Sequence, residues 1–305
     1  GSLNNKGVEF SLNAQIIDSS SWKWSVSGNI GVNRNEISDL GLLPADFGCL
    51  GERVGYYGNS LGDHFGVGHI FLAGEAPGLF YGYVTQGIVQ KEDITENGIK
   101  YIKQDGSVGY YQTVNKTTPV AGDVKYVDRN GDGVVDDNDR DIIGNPNPDF
   151  TYGFQTKVSW KSLSLSASFN GVQGRDILNV GNRYNNTPGT KSNNVTRKAF
   201  QNMWTDENPS NLYPKSTFVV QNMVMDRYVE DGSYLRCSDI TLSYVLPAKW
   251  TNKIGIKNTS VYASVKNAFV ITDYSGYDPE VNSFAFDGLR PGVDMNSYPT
   301  PRSFV

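Results

Sequence analysis

Cysteine and histidine are almost missing from this chain of 305 residues, with two of each: Cys49, Cys237, His64 and His69. Two cysteines so far apart in sequence make neither a disulfide framework nor a zinc pattern. An excess of basic residues is missing too. Lys and Arg number 27 against 32 Asp and Glu, a net charge of −5, so no electrostatic case exists for nucleic acid. No apolar run approaches the roughly 20 residues of a membrane helix, and no signal peptide stands at Gly1. The nearest carboxylate–histidine pairing is Asp63-His64, two neighbours in a glycine-rich loop without a constellation around them. The chain is therefore not expected to be an enzyme, and both histidines are expected to be solvated loop polarity.

Glycine is plentiful at 33 residues, tyrosine at 18, and aromatics make up 12%. That profile belongs to a β-rich, turn-rich chain. One stretch, Asp128-Arg129-Asn130-Gly131-Asp132-Gly133-Val134-Val135-Asp136-Asp137-Asn138-Asp139, carries oxygen side chains at positions one, three, five, nine and twelve, with glycine at six. This is the ligand spacing of an EF-hand-type calcium loop. Asp128, Asn130, Asp132, Asp136 and Asp139 would give side-chain oxygens, and Val134 its backbone carbonyl. Gly133 would sit at the sharp turn. A strand-like run leads in, and Pro146 and Pro148 follow, so the helices of a calcium sensor are not expected. The ion would pin a long loop. The bland alternative is a polar turn rich in Asp, Asn and Gly.

Elsewhere the pattern is period two. Val8, Phe10, Leu12, Ala14 and Ile16 alternate with polar residues, then Trp22, Trp24, Val26, Ile30 and Val32 do the same. Phe150 to Trp160 and Leu163 to Phe169 form a second pair. Ile240 to Leu246 and Val261 to Ile271 form a third. The connections alternate in length without exception: 18–21, 35–149, 161–162, 172–233, 247–259 and 272–300. Outer-membrane barrels show this parity, with short turns at one end and long loops at the other. Aromatics at strand ends (Trp22, Trp24, Phe150, Tyr152, Trp160, Tyr244, Trp250, Phe269) suit interfacial girdles. The expected fold is all-β, an antiparallel transmembrane β-barrel with long structured extracellular loops. A calcium-stabilised soluble or surface β-sandwich that binds glycans also alternates and remains the other reading. Both ends run straight into strand pattern, as in a piece cut from something longer.

Several stretches carry a family likeness. They are Asn5 to Phe10, Phe80 to Tyr83, Gly122 to Asp128, Gly144 to Phe154, Trp204 to Pro209, Asp231 to Arg236, Ile240 to Pro247, Gly276 to Glu280 and Tyr298 to Arg302. In this order they resemble the SusC/RagA family of TonB-dependent outer-membrane transporters, over essentially the whole chain. The resemblance implies the C-terminal part of a plugged barrel of about 22 strands, without the plug and the TonB-contacting segment. It implies an N-terminal plug and barrel part, TonB, a SusD-like surface lipoprotein as lid, and outer-membrane lipid as partners. It implies a Gram-negative outer membrane as location, and oligosaccharide or oligopeptide cargo. Tyr56, Tyr57, Tyr110 and Tyr111, read as exposed loop aromatics, could stack on sugar rings, although such tyrosines are more often packing or girdle residues, and no substrate site is assigned.

Overall fold

The computed structural model describes residues 1–41, 48–50, 53–62, 65–187, 194–216, 223–252, 255–256 and 259–305. Asp63 and His64 lie outside them. Six long strands, Ser2–Asp18, Trp22–Asp39, Phe150–Trp160, Leu163–Gln173, Tyr234–Val245 and Ser260–Thr272, pair antiparallel in chain order, and the short Ser303–Phe304 strand adds a seventh. The strands form because their side chains alternate, and the alternation stays in step from one strand to the next. One row across the sheet reads Ala14, Val26, Thr156, Ala167, Ile240, Val265. The next reads Gln15, Ser25, Lys157, Ser166, Thr241, Ser264. A slip of one residue anywhere would mix the two faces.

The apolar face is open. Val8 is 73% exposed, Phe10 61%, Leu165 48% and Ile271 61%, and among the described residues no second sheet covers this face. A sandwich buries such side chains against a partner sheet, so the sandwich alternative fails here. Along Phe150–Trp160, ten steps of about 3.4 Å give about 34 Å, and a barrel tilt of about 40° reduces this to about 26 Å. An outer-membrane wall needs an apolar band about 25 Å tall. Trp22 and Trp160 pair at the short-turn end with ring centroids 6.0 Å apart, where an interfacial girdle belongs. Phe269 does not stand at a strand end. It pairs with Cys237 within the wall, and its ring lies 6.4 Å from Phe169.

The other face is polar and carries two clefts of about 600 and 450 Å³, lined by Asn13, Gln155, Ser168 and their neighbours. Two bulges keep the faces in phase beside the row Asn13, Ser27, Gln155, Ser168, Asp239. Ser238 is an extra residue opposite Ser168 and Phe169, and Asn267, with φ of 52°, lies where the next pairing shifts again. Bulges add twist and curvature to a wall.

The short links all leave one end of the sheet: 19–21, 161–162 and 246–259. The long segments 40–149, 174–233 and 273–302 leave the other. They begin within a few residues of the bounds expected from sequence and contain their own sheets, one of five strands in the order Arg140–Gly144, Leu79–Tyr83, His69–Leu72, Arg53–Tyr57, Gly48–Leu50. Strand Asp176–Asn179 pairs with Val229–Asp231 and with Val293–Asp294, which joins the second long segment to the third.

Ile240→Arg should cost about 2–4 kcal/mol in lipid, because the side chain faces the bilayer near its middle. Thr241→Arg, one residue on, should cost far less. The folded fraction of the full receptor in bilayers, titrated with denaturant, checks both; equal losses would overturn the assignment of faces.

Candidate functional site

The acidic stretch sits between strand Val124–Tyr126 and strand Arg140–Gly144. Its floor is aromatic. Tyr101, Tyr111 and Tyr126 are wholly buried in the core that the three long segments share, with Tyr83, Val114, Val135, Met225 and Tyr228. The Tyr101 hydroxyl donates to the Asp128 carbonyl at 2.6 Å, and Tyr126 N–H donates to the Tyr111 hydroxyl at 3.1 Å. Val134–Val135 pairs with Thr113–Val114, which fixes the middle of the loop to the same body.

Gly131 and Gly133 take φ of 75° and 87°, where a side chain is strained. A Cβ at Gly133 would also collide with the Gln112 side chain. The Asp128 carboxylate spans the turn, accepting from Gly131 N at 2.7 Å and Gly133 N at 2.9 Å. Asp139 does the same from the far end. It accepts from Arg129 N at 2.7 Å, Asn130 N at 3.3 Å and Asp136 N at 2.8 Å. Asn130 accepts from Asp132 N, Asp132 from Val134 N and Asp136 from Asn138 N, so each holds a local Asx turn.

Asp128 is 2% exposed and Asp139 0%. Among the described residues neither has a Lys, Arg or His within ion-pair distance, since Arg129 is spent on Asp141 and Arg140 on Asp137. Burial pushes the Asp139 carboxyl above the usual carboxylate range, and the charge of Asp128 adds to it. Two buried carboxylates without a counter-charge suit a cation's place, because burying unpaired charge is costly. The oxygens themselves are turned to backbone N–H groups. Among the described residues no three acidic, histidine or cysteine side chains converge as a metal group. The residues fit calcium in charge, spacing and turn geometry, and not yet in convergence.

Three expectations about loop side chains need correction. His69 is fully buried rather than solvated: it packs edge-on against Phe80 at 5.3 Å, and its Nε2 lies 2.9 Å from the Pro291 carbonyl. Carbonyl oxygen accepts, so Nε2 carries the proton and Nδ1 is left buried without a partner. Tyr111 is core, not an exposed platform. Tyr57 is half-buried and stacked on Tyr81 at 5.7 Å. Tyr56 and Tyr110 are exposed as expected. The tie between the first and third long segments, His69 to Pro291 and Asn59 to Asp287 at 2.9 Å, has no sequence signal, because its members are far apart in the chain.

Burial lowers the His69 pKa from 6.5 to about 4. The folded state therefore keeps this imidazole neutral where the unfolded chain would protonate it. The stabilisation is complete above pH 6.5 and is lost as pH falls towards 4, about 3 kcal/mol in all. His69→Gln should flatten that part of the stability–pH curve between pH 6.5 and 4, read by thermal melts of the detergent-solubilised receptor.

No family model matches the chain. A TonB-dependent receptor of Formosa agariphila is 30% identical over 100% of this chain and 29% of its own length. The TonB-dependent receptor SusC of Bacteroides thetaiotaomicron is 31% identical over 100% of this chain and 26% of its own. Among solved structures, the RagAB peptide importer in its "closed-closed" state superposes with a TM-score of 0.67 at 25% identity, covering 100% of this chain and 29% of that one. The chain thus spans less than a third of the relatives it matches. Its antiparallel sheet with one open apolar face, its one-sided long loops and this likeness over its full length agree: the chain belongs to the SusC/RagA family of TonB-dependent receptors.

Proposed function

We propose that these residues serve in an outer-membrane importer of oligosaccharides or oligopeptides, powered through TonB and working with a SusD-like surface lipoprotein. The observation that carries this is the division of labour in the sheet. One face is apolar and open over the height of a bilayer, the other is polar, and every long connection leaves the same end and joins one packed body. A wall of this kind separates lipid from a wet interior. The packed body at one end supplies a rigid rim outside the membrane on which a lid and cargo can rest. Polar side chains on the inner rows, Asn13, Ser27, Gln155 and Ser168, would line the passage and let a hydrated solute slide without strong binding. None of these roles is covalent chemistry, and the relatives are receptors and transporters by name, so the reading includes no enzymatic step.

Calcium belongs to the same proposal as a structural ion. Asp128, Asn130, Asp132, Asp136 and Asp139 would hold it by side-chain oxygens, with the Val134 carbonyl completing the set. The ion would supply the positive charge that Asp128 and Asp139 lack. The chain's own part is to hold the turn through Gly131 and Gly133 and to key it to the tyrosine core.

Two measurements test these readings. The receptor purified from outer membranes in mild detergent should bring a surface lipoprotein with it in near-equal amount; repeated isolation without such a partner would contradict the import complex. Asp132→Ala combined with Asp136→Ala should expose the 124–144 region to protease while the barrel still assembles, and a chelator should do the same to the parent protein. Protease sensitivity indifferent to both treatments would remove calcium from the picture.

A further inference from the structure

The short links at one end of the wall carry positive charge only. Residues 19–21, 161–162 and 246–259 include lysine and no acidic residue, in a chain whose net charge is −5. The links are tied edge to edge. Lys161 N donates to the Ser21 carbonyl at 2.8 Å, Val245 N to that of Ser162 at 2.9 Å, and Leu246 N to that of Thr259 at 2.9 Å. The last lipid-side row of the wall runs beside them and reads Trp22, Trp160, Leu163, Tyr244, Val261.

Two lysines stand against this belt. At the two-residue turn Lys161 takes φ of 52°, and its Nζ lies over the Trp160 ring, 5.2 Å from the centroid. Attraction to the ring face thus holds the ammonium beside the lipid-side indoles. In the neighbouring link the short helix Ala248–Thr251 carries Lys249 and Trp250, and that indole is 61% exposed. Among the described residues no carboxylate lies within ion-pair distance of Lys161 or Lys249; the ion pair at this end joins Lys23 to Asp18 at 3.6 Å. Indoles alone accept any lipid, because the membrane interface suits a ring with one polar group. An ammonium without a protein counter-charge discriminates. A headgroup of net negative charge satisfies it, a gain of about fivefold in affinity for each lysine, whereas a zwitterionic headgroup brings its own cation. The belt is continuous with the lipid-facing wall, so its occupant is lipid and not a second protein.

We propose that Lys161 and Lys249, with Trp22, Trp160 and Trp250, form a docking surface for anionic phospholipid headgroups in the leaflet at the short-link end. The surface rests on the wall reading of the sheet and not on the identity of cargo or lid. The full receptor is placed in nanodiscs that hold phosphatidylcholine and a trace of photoreactive lipid, either phosphatidylglycerol or phosphatidylcholine with a diazirine in the acyl chain. After illumination, mass spectrometry reads the labelling of the peptides around residues 161 and 249. At low ionic strength the phosphatidylglycerol probe should label both peptides about fivefold more than the phosphatidylcholine probe. The preference should shrink in about 1 M salt, where screening acts within about 3 Å. Lys161→Gln should abolish it at the first peptide and Lys249→Gln at the second, while Lys161→Arg keeps it. Trp160→Leu, which frees the Lys161 ammonium, should cost about twofold to fivefold at the first peptide. Lys100→Gln, an exposed lysine of the long-loop body, should change nothing. Equal labelling by the two probes in the parent protein, or a preference that survives both glutamine variants, would overturn the docking surface. Peptides labelled by neither probe would refute the wall reading together with it. A receptor that shows the preference yet imports nothing would leave the docking surface standing and refute the import reading.

Discussion

Everything in this structure depends on the demand that a wall in lipid satisfy its own backbone. Each peptide group in the hydrocarbon must bond to a neighbouring strand, because no water is there to replace it. Long strands in strict antiparallel register meet that demand, and the register then dictates the side chains. Alternate residues face lipid and passage, so the rows through Ala14 and Gln15 differ in character across six strands. The bulges at Ser238 and Asn267 are where the wall departs from regularity without exchanging its faces.

The same demand sorts the connections. A turn of two residues, as at Lys161-Ser162, suits the end that needs no further structure, and Lys161 takes φ of 52° to make it. The other end carries three segments too long to stay irregular. They solve the problem together. Thr85 is held by the Asp226 carboxylate through its N–H at 3.0 Å and its hydroxyl at 2.6 Å, and Trp204 donates to Gln90 at 3.0 Å. Each segment contributes to one shared, aromatic-rich core. The acidic loop draws its rigidity from that core, and the buried ion pair of Arg236 with Asp278 joins the third long segment to the wall.

How much of this was legible follows from range. Period-two alternation is local, so the six long strands, the two-residue link and the parity of connections are readable residue by residue. The spacing of Asp128 to Asp139 is local too, and the structure keeps the two glycines at positive φ as the turn requires. What was not legible is what depends on partners distant in sequence. Lys266-Asn267-Ala268 reads as a break in alternation, and only pairing with Cys237 and Asp239 makes it a bulge. Tyr111 reads as an exposed aromatic beside Tyr110, yet alternation in Val108–Tyr111 sends one ring out and the other into the core. His69 lies in a glycine-rich stretch that suggests solvent, and its burial comes from Phe80 and Pro291. Whether the carboxylates of the acidic loop converge is likewise a matter of side-chain geometry that spacing does not fix.

The most direct test of the wall is a cysteine scan of residues 163–170 in the full receptor, in native membranes, with a lipid-soluble quencher and a water-soluble thiol reagent applied to each labelled position. The barrel geometry predicts quenching by lipid at positions 163, 165, 167 and 169 and reaction from water at 164, 166, 168 and 170. Water access on both faces, or the same response at neighbouring positions, would contradict it.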